Sequence, residues 1–333
     1  MKKIHIKLFT ALLAVALVAG VTLFYSCKKE EEKPTKPQEK VKIDFSRIDF
    51  NKIGKTTSNS KTGTAMLVFV SNEDYISVLE ALQDICSEYT QEFIRNLIIA
   101  NGGNDDENFI NNLLDSLGFN PFYPLHEFSD ILSFVGLYLN LEEAEERWKV
   151  LAGNIEDNPF AERGVGCFES ALFNVDGDVM IEDEVYNAGN DGLFPSPKSF
   201  NCNNETHTKT SPYYTYSSVQ RYVFGFLRTN KLNTLAYTRT YYKKNNGNWG
   251  NWFTKIRVQV GGTKSKKCDD YNNNQTYTWP DKTRSLPWGF YVEAWLYSPS
   301  ANSYYRLPSG EGLGGKHWED ASTNSNRIVK TKV

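Results

Sequence analysis

The sequence has few of the side chains on which most enzyme chemistry depends. Its 333 residues include only four histidines and five cysteines. It contains no CxxC pair, H-E-x-x-H motif, G-x-S-x-G elbow, P-loop or dinucleotide fingerprint, and the glycine-rich run 310–315 is predicted to be a flexible loop. These absences predict a protein that is not an enzyme and that holds no metal or cofactor. One catalytic alternative stays open, in which Cys167 is a nucleophile beside His207 or His317.

Long apolar runs are also absent, except for Leu8–Phe24, a run of 17 residues behind three lysines. This run ends at a small residue directly before Cys27, and the pattern resembles a bacterial lipoprotein signal. Phe24 and Tyr25 stand where such signals usually have small or aliphatic residues. The resemblance implies removal of residues 1–26 and a lipid anchor on Cys27 in the outer membrane. The alternative is an uncleaved membrane helix.

Charged residues follow Cys27 immediately. The run Lys28–Glu32 (KKEEE) resembles the surface-export signal of Bacteroidota lipoproteins, which implies display at the cell surface. The alternative is an anchor that faces the periplasm. Residues 27–60 are predicted to form a charged and polar tether, because charge runs extend and stay solvated.

Charge is distributed unevenly along the chain. Residues 27–205 contain 33 acidic and 15 basic residues, whereas residues 206–333 contain 7 acidic and 19 basic residues and six of the seven tryptophans. A basic, aromatic region predicts an anionic partner, such as a polysaccharide. The alternative is that the basic region docks on the acidic half of its own chain or on an envelope protein. No nucleic-acid-binding motif is present, so a nucleic acid is not expected as the partner.

Hydrophobic periodicity predicts an α+β protein with a mainly helical N-terminal region, a short strand, a β-hairpin and an all-β, sandwich-like C-terminal domain. A strand is predicted over residues 64–70, with helices over 73–100, 106–117, 125–139 and 140–151. The predicted organisation is an α-rich domain at 61–190, a linker rich in glycine, proline and asparagine at 191–212, and a basic, aromatic domain at 213–333.

Several short motifs recur together in a family. They are Met66–Phe69 (MLVF), Ser71–Tyr75 (SNEDY), Leu117–Phe119 (LGF) and Phe173–Tyr186 (FNVDGDVMIEDEVY). Their order is similar to that in a group of Bacteroidota surface lipoproteins, the DUF4848-like family, over residues 45–190. The family pattern has glycine where this sequence has Glu182, so the local turn is expected to differ. The resemblance implies no particular activity.

The acidic stretch 174–186 could be a calcium loop or a hairpin. An EF-hand loop needs a carboxylate at its first position and a glutamate at its twelfth, but these positions hold Leu172 and Asp183. Asp176-Gly177 is instead a strong two-residue turn signal, because both residues tolerate positive φ. The sequence therefore predicts a hairpin that turns at Asp176-Gly177.

Strands in the C-terminal domain are predicted over residues 221–228, 235–243, 252–260, 288–297 and 327–333, with a hairpin at Asn246-Gly247. In one strand, Ile256, Val258 and Val260 share a face, and Lys255 and Arg257 share the other.

The strand that contains Glu293 has a similar alternation. Tyr291, Trp295 and Tyr297 lie on the same face as Glu293, and an unpaired carboxylate is rarely buried. This face is therefore predicted to be exposed, with rings about 7 Å apart. Lys255, Arg257 and these three aromatic residues form the predicted ligand-binding surface. The alternative is that the rings cover a second core layer.

Four cysteines follow Cys27. Cys86 lies on the apolar stripe of a predicted helix, which indicates a buried thiol. The remaining three are predicted in loops or at strand edges, and an exported location permits disulfides. We expect a Cys202–Cys268 disulfide.

Overall fold

The computed structural model describes most of the chain after residue 40. The described residues are 41–57, 63–151, 153–154, 157–188, 205–216, 219–229, 233–267, 276–297, 305–306, 314–319 and 328–332. Val41–Val333 belong to one compact unit. The predicted signal peptide, Cys27 and the Cys202–Cys268 disulfide lie outside the described residues. Within the described ranges, no helix has the length and apolar character needed to cross a membrane.

Within the described residues, the N-terminal region combines six α-helices and a short 3-10 helix (Phe50–Lys52) with a small sheet. The helices are α1 (Asn72–Ala100), α2 (Glu107–Leu117), α3 (Tyr123–Leu132), α4 (Leu137–Val150), α5 (Pro159–Arg163) and α6 (Cys167–Leu172). The strands are β1 (Ile53–Thr56), β2 (Met66–Phe69), β3 (Asp178–Ile181) and β4 (Glu184–Asn187). They pair in that order, and β2 and β3 run parallel.

The first two helices begin where the sequence predicts. Ser71 caps α1, because its hydroxyl accepts a hydrogen bond from the backbone N–H of Asp74 at 3.1 Å. Asp106 caps α2 in the same way, and Gly118 ends it in the left-handed conformation with φ 59°.

The boundary between α3 and α4 differs from the prediction. α3 ends at Leu132 rather than at 139, because Ser133 adopts a left-handed conformation with φ 46°. α4 then starts at Leu137, whose N–H donates to the carbonyl of Phe173 at 2.8 Å, so Asn140, where this helix was predicted to begin, is an interior helix residue. The apolar periodicity is continuous across 125–141, so it does not indicate this break.

The predicted hairpin exists, but its turn is elsewhere. β3 and β4 are joined at Glu182-Asp183, where both residues have positive φ (52° and 63°). Asp176-Gly177 forms a separate turn before β3, in which the N–H of Gly177 donates to the carbonyl of Asn174 at 2.8 Å. A two-residue hairpin turn with positive φ favours Gly or Asn, and Glu182-Asp183 contains neither. The sequence therefore predicted the turn at Asp176-Gly177, which has the stronger turn signal but does not join the two strands.

Two larger sheets form the C-terminal region. The inner sheet has the order β11-β7-β6-β5, with β8 paired to β7; the outer sheet has the order β10-β9-β13-β14, with β12 paired to β9. The strands are β5 (Glu205–Tyr216), β6 (Val219–Thr229), β7 (Asn233–Lys243), β8 (Trp249–Asn251), β9 (Thr254–Lys267), β10 (Thr276–Gly289), β11 (Tyr291–Tyr297), β12 (Tyr305–Arg306), β13 (Gly314–Glu319) and β14 (Ile328–Lys332).

The inner sheet lies between the helices and the outer sheet. An aliphatic core that includes Leu227, Ala236, Ile256 and Val292 fills the space between the two sheets. The opposite face of the inner sheet contributes to a larger core shared with the helices. The α+β class with a sheet-rich C-terminal region is therefore confirmed, and the helical and β regions bury a common core.

Six of the described strands were not predicted, namely β1, β5, β8, β10, β12 and β13, and β1 lies within residues 27–60, which were predicted to be a tether. β5 includes residues 205–212, which the composition assigned to a linker, and β13 includes the last two residues of the glycine-rich run that was predicted to be a loop. β10 contains Pro280 and Pro287, each at an irregularity of its pairing with β9. Proline is tolerated there because β10 is an edge strand of its sheet.

Candidate functional site at the junction of the acidic and basic regions

The structure separates the predicted ligand-binding residues into two groups. On β9, Ile256, Val258 and Val260 are buried, whereas Lys255 is exposed and Arg257 is half-buried. The predicted alternation of this strand is therefore confirmed. Lys255 and Arg257 belong to the solvent side of the outer sheet.

On β11 the prediction of an exposed face is wrong. Tyr291 is 4% exposed, and Trp295 and Glu293 are fully buried. This face packs against the helices, so the ring faces of Tyr291 and Trp295 are not open to a ligand. Tyr297 ends β11, and its side chain lies outside the described residues. The alternative that the rings cover a second core layer is the one that holds for Tyr291 and Trp295.

Ion pairs cross the junction between the acidic and basic regions. Six basic side chains after residue 206, within the described part of the chain, contact carboxylates before residue 205. The pairs are Arg221–Glu107 (3.3 Å), Arg228–Glu169 (2.9 Å), Arg239–Glu145 (2.7 Å), Lys244–Asp115 (2.6 Å), Lys282–Glu80 (2.5 Å) and Arg284–Asp84 (2.8 Å). The uneven charge of the sequence is thus partly neutralised inside the molecule.

The most buried of these pairs joins β7 to α4. The Arg239 side chain is 1% exposed, and its Nη2 donates to Glu145 Oε2 at 2.7 Å. Glu145 Oε1 also accepts hydrogen bonds from Tyr241 Oη at 2.8 Å and from Asn158 Nδ2 at 2.9 Å. Burial by itself raises the pKa of Glu145, but the charges of Arg239 and Lys149 and these hydrogen bonds outweigh it, so the pKa lies below its usual value.

A second buried pair joins β6 to α6. Arg228 binds Glu169 through two hydrogen bonds, from Nη1 to Oε2 at 2.9 Å and from Nη2 to Oε1 at 3.0 Å. Nη1 also donates to the carbonyl of Gly164 at 2.8 Å. This two-pronged geometry is specific to arginine and fixes α6 against the sheet.

Glu293 lies beside this second pair and differs from it electrostatically. Its carboxylate accepts hydrogen bonds from Tyr291 Oη and from the N–H of Phe168, the latter at 3.3 Å. Burial, together with the negative charge of Glu169, raises the pKa of Glu293 to about 8. The group is therefore largely protonated near neutral pH, which explains how a carboxyl can occupy a buried position.

Two side-chain amides on helices also form hydrogen bonds with the backbone of the β region. Gln83 of α1 accepts from the N–H of Glu293 at 2.8 Å and donates to its carbonyl at 3.2 Å, which pairs the free edge of β11. Asn111 of α2 does the same to Phe253, at 2.7 and 2.8 Å. Both amides are buried. They satisfy backbone groups that would otherwise lie unpaired at the junction.

The catalytic alternative for Cys167 is not supported by its surroundings. Cys167 is the first residue of α6, not part of a loop, and it is fully buried. Burial raises the pKa of its thiol well above the usual value, which disfavours the nucleophilic thiolate. His317 contacts Thr238 between the two sheets, on the side of the inner sheet opposite to Cys167. The His207 side chain lies outside the described residues, and Cys86 is buried as predicted.

The charged residues at the core of the junction were missed by the sequence analysis, although a signal exists. On β7, Leu235, Tyr237, Arg239 and Tyr241 have the same parity, so an arginine sits within an apolar and aromatic row. A charge at such a position predicts a buried partner. The sequence does not reveal that the partner is Glu145, 94 residues away.

Comparisons with known proteins add little to this picture. No protein-family model matches the sequence, and no curated protein is significantly similar to it. A structural neighbour is a DUF4848 family protein from Bacteroides thetaiotaomicron, with 11% sequence identity and a TM-score of 0.22. The match covers 84% of this chain and 100% of that one. The link to the family that the motifs resemble is therefore weak, and membership stays a prediction.

Proposed function

We propose that the chain is a non-catalytic lipoprotein of the bacterial outer envelope, anchored by Cys27 at the cell surface, in which the basic β region docks on its own acidic half. The docking is supported by two buried contacts, Arg239–Glu145 and Arg228–Glu169, whereas the anchor is supported by the resemblance of the N-terminal sequence to a surface-lipoprotein signal. Each of these buried charged side chains requires a partner of opposite charge inside the fold, because an isolated buried charge is strongly unfavourable. The proposed role is structural: the folded part of the chain after residue 40 is presented at the cell surface from its lipid anchor.

The anchor is tested by metabolic labelling with a palmitate analogue in a bacterium that makes the protein. The wild type should be labelled and should be cleaved by protease added to intact cells. Cys27→Ala should lose the label, and Cys86→Ala should keep it. An unlabelled wild-type protein, or one that retains residues 1–26, would overturn the anchor.

Internal docking is tested by releasing basic side chains from their partners. Lys282 and Arg284 contact Glu80 and Asp84 of α1. The double variant Glu80→Gln/Asp84→Asn should be retained more strongly than the wild type on a sulfated-polymer column. The matched control is Glu88→Gln, since Glu88 pairs with Arg47 within the acidic half. Equal retention of all three proteins would count against docking.

A second candidate function is binding of an anionic polymer by the outer sheet. Lys255 and Lys316 are exposed on its solvent side, and Lys316 pairs in register with Gln259 and Lys330. A flat surface with several cations suits a linear polyanion. This function predicts that Lys255→Glu/Lys316→Glu reduces retention on the same column, whereas internal docking alone predicts weak retention with or without these changes.

A further inference from the structure

A cleft opens on the helical side of the junction. It lies between α4, the segment that joins α2 to α3, and strands β7 and β8, and its volume is about 550 Å³. This size is within the range of about 300–1,000 Å³ that small-molecule sites occupy. The cleft is lined by both regions of the chain.

Two side chains in the lining have unused hydrogen-bonding atoms. Arg239, which is 1% exposed, uses Nη2 for Glu145, but its Nη1 and Nε have no hydrogen-bond partner. Asn251 of β8 has a buried Oδ1 without a partner. Buried polar groups are normally satisfied, so an unpaired donor and an unpaired acceptor on one cleft indicate a ligand that supplies both.

The charge of the lining selects against ions of either sign. Its carboxylates are Asp115, Glu142, Glu143, Glu145 and Glu146, and its cations are Lys149, Arg239 and Lys244, with His126 beside them. The acidic excess repels an anion. A cation finds these carboxylates already in contact with positive groups: His126 lies 2.8 Å from Glu142, Lys149 2.8 Å from Glu146 and Lys244 2.6 Å from Asp115.

The unpaired hydrogen-bonding groups of the cleft fit a neutral molecule that is rich in hydroxyl groups. A hydroxyl both donates and accepts, as Arg239 and Asn251 together require. Phe119, Phe253 and Trp249 also line the cleft, and they offer apolar contact to the C–H face of a ring. We infer that the cleft binds a neutral saccharide unit, held by Arg239 and Asn251. This inference does not depend on the anchor, but it rests on the docking proposed above, because both regions of the chain line the cleft.

The test measures binding of neutral sugars to the full chain in detergent, by saturation-transfer NMR and calorimetry. The probes are glucose, galactose, mannose, maltose and lactose, with glucosamine and glucuronic acid as the charged comparison. At least one neutral probe should bind in the millimolar range or more tightly, and the charged analogues should bind more weakly. No binding by any neutral probe, or binding by the charged probes alone, overturns the inference.

Three variants locate the site. Leu139 is partly buried and lines the cleft, so Leu139→Trp should abolish binding by filling it. Leu151, 80% exposed and outside the lining, provides the matched control Leu151→Trp, which should bind like the wild type. Asn251→Ala should weaken binding about tenfold, the loss of one good hydrogen bond. Unfolding curves establish that each variant folds, and unchanged binding by folded Leu139→Trp would place the sugar elsewhere and refute the assignment.

Discussion

The two faces of the inner sheet are built from different side chains. Towards the outer sheet the face is mainly aliphatic and includes Leu227, Ala236 and Val292, with Thr238 in contact with the buried His317. Towards the helices it is aromatic and charged, with Arg239 surrounded by the rings of Phe160, Tyr241, Phe290 and Tyr291 at 5.1–5.5 Å. One backbone therefore supports two kinds of core.

This difference bears on how each face specifies the structure. Aliphatic side chains pack without directional requirements, so they stabilise the sandwich mainly through buried area. The charged face is directional, because Arg239 and Arg228 each need one particular carboxylate. We therefore interpret the aliphatic face as the source of stability and the charged face as the source of a unique alignment between helices and sheet.

The largest expected effect comes from the charged face. Arg239→Met should lower the free energy of unfolding by about 3–5 kcal/mol, because it leaves the Glu145 carboxylate buried without its main counter-charge. Urea denaturation of the full chain measures this loss. The double variant Arg239→Met/Glu145→Gln should recover part of it. A double variant less stable than Arg239→Met would show that Glu145 does not depend on this pair.

A substitution on the aliphatic face should change the free energy of unfolding without a contribution from charge. Leu227 is fully buried between the sheets, and Leu227→Ala should cost about 2–4 kcal/mol through lost burial and the cavity left behind. The cost should be the same at pH 5 and at pH 8, since its cluster consists of aliphatic side chains and His317 between the sheets, whose pKa burial lowers to about 3, is uncharged at both. A pH-dependent loss, measured by the same denaturation, would remove the distinction between the two faces.

The sequence predicted the first two helices better than it predicted the outer sheet. α1 and α2 have local caps at Ser71 and Asp106, and these can be read from neighbouring residues. Strand β13 has no such local signal: it pairs with β9 and β14, and its glycines resemble a loop when considered alone. Pairing between distant segments determines β13, so local patterns missed it.

The prediction of an exposed ligand-binding face on β11 was wrong for a physical reason that involves Glu293. Glu293 predicts an exposed face only if its carboxyl is charged. The structure buries it beside Tyr291 and raises its pKa to about 8, so the rule for charged groups did not apply. Sequence predicts the parity of Tyr291, Glu293 and Trp295 correctly, but not that a helical layer covers that face.

The protonated Glu293 leads to a prediction about pH. Its folded pKa of about 8 lies above the usual 4.5, so its stabilising effect is complete below pH 4.5 and is lost as the pH rises towards 8. The wild type should therefore lose stability over this window relative to Glu293→Gln, by at most about 1.4 kcal/mol per pH unit. His126, whose pKa is raised by its hydrogen bond to Glu142, acts in the same direction but is present in both proteins. Parallel pH profiles of the two proteins would refute the raised pKa.

The smallest effect should come from the rim of the junction, where the ion pairs meet solvent. The side chains of Lys244 and Asp115 are 31% and 46% exposed, so water and salt screen their attraction. Lys244→Gln should cost at most about 1 kcal/mol, and the cost should vanish in high salt, whereas the loss caused by Arg239→Met should persist. Lys255→Gln, an exposed lysine on the outer sheet, is the control and should change stability by less than about 0.5 kcal/mol. If Lys244→Gln were as costly as Arg239→Met, the alignment of helices and sheet would depend on the rim as much as on the buried face.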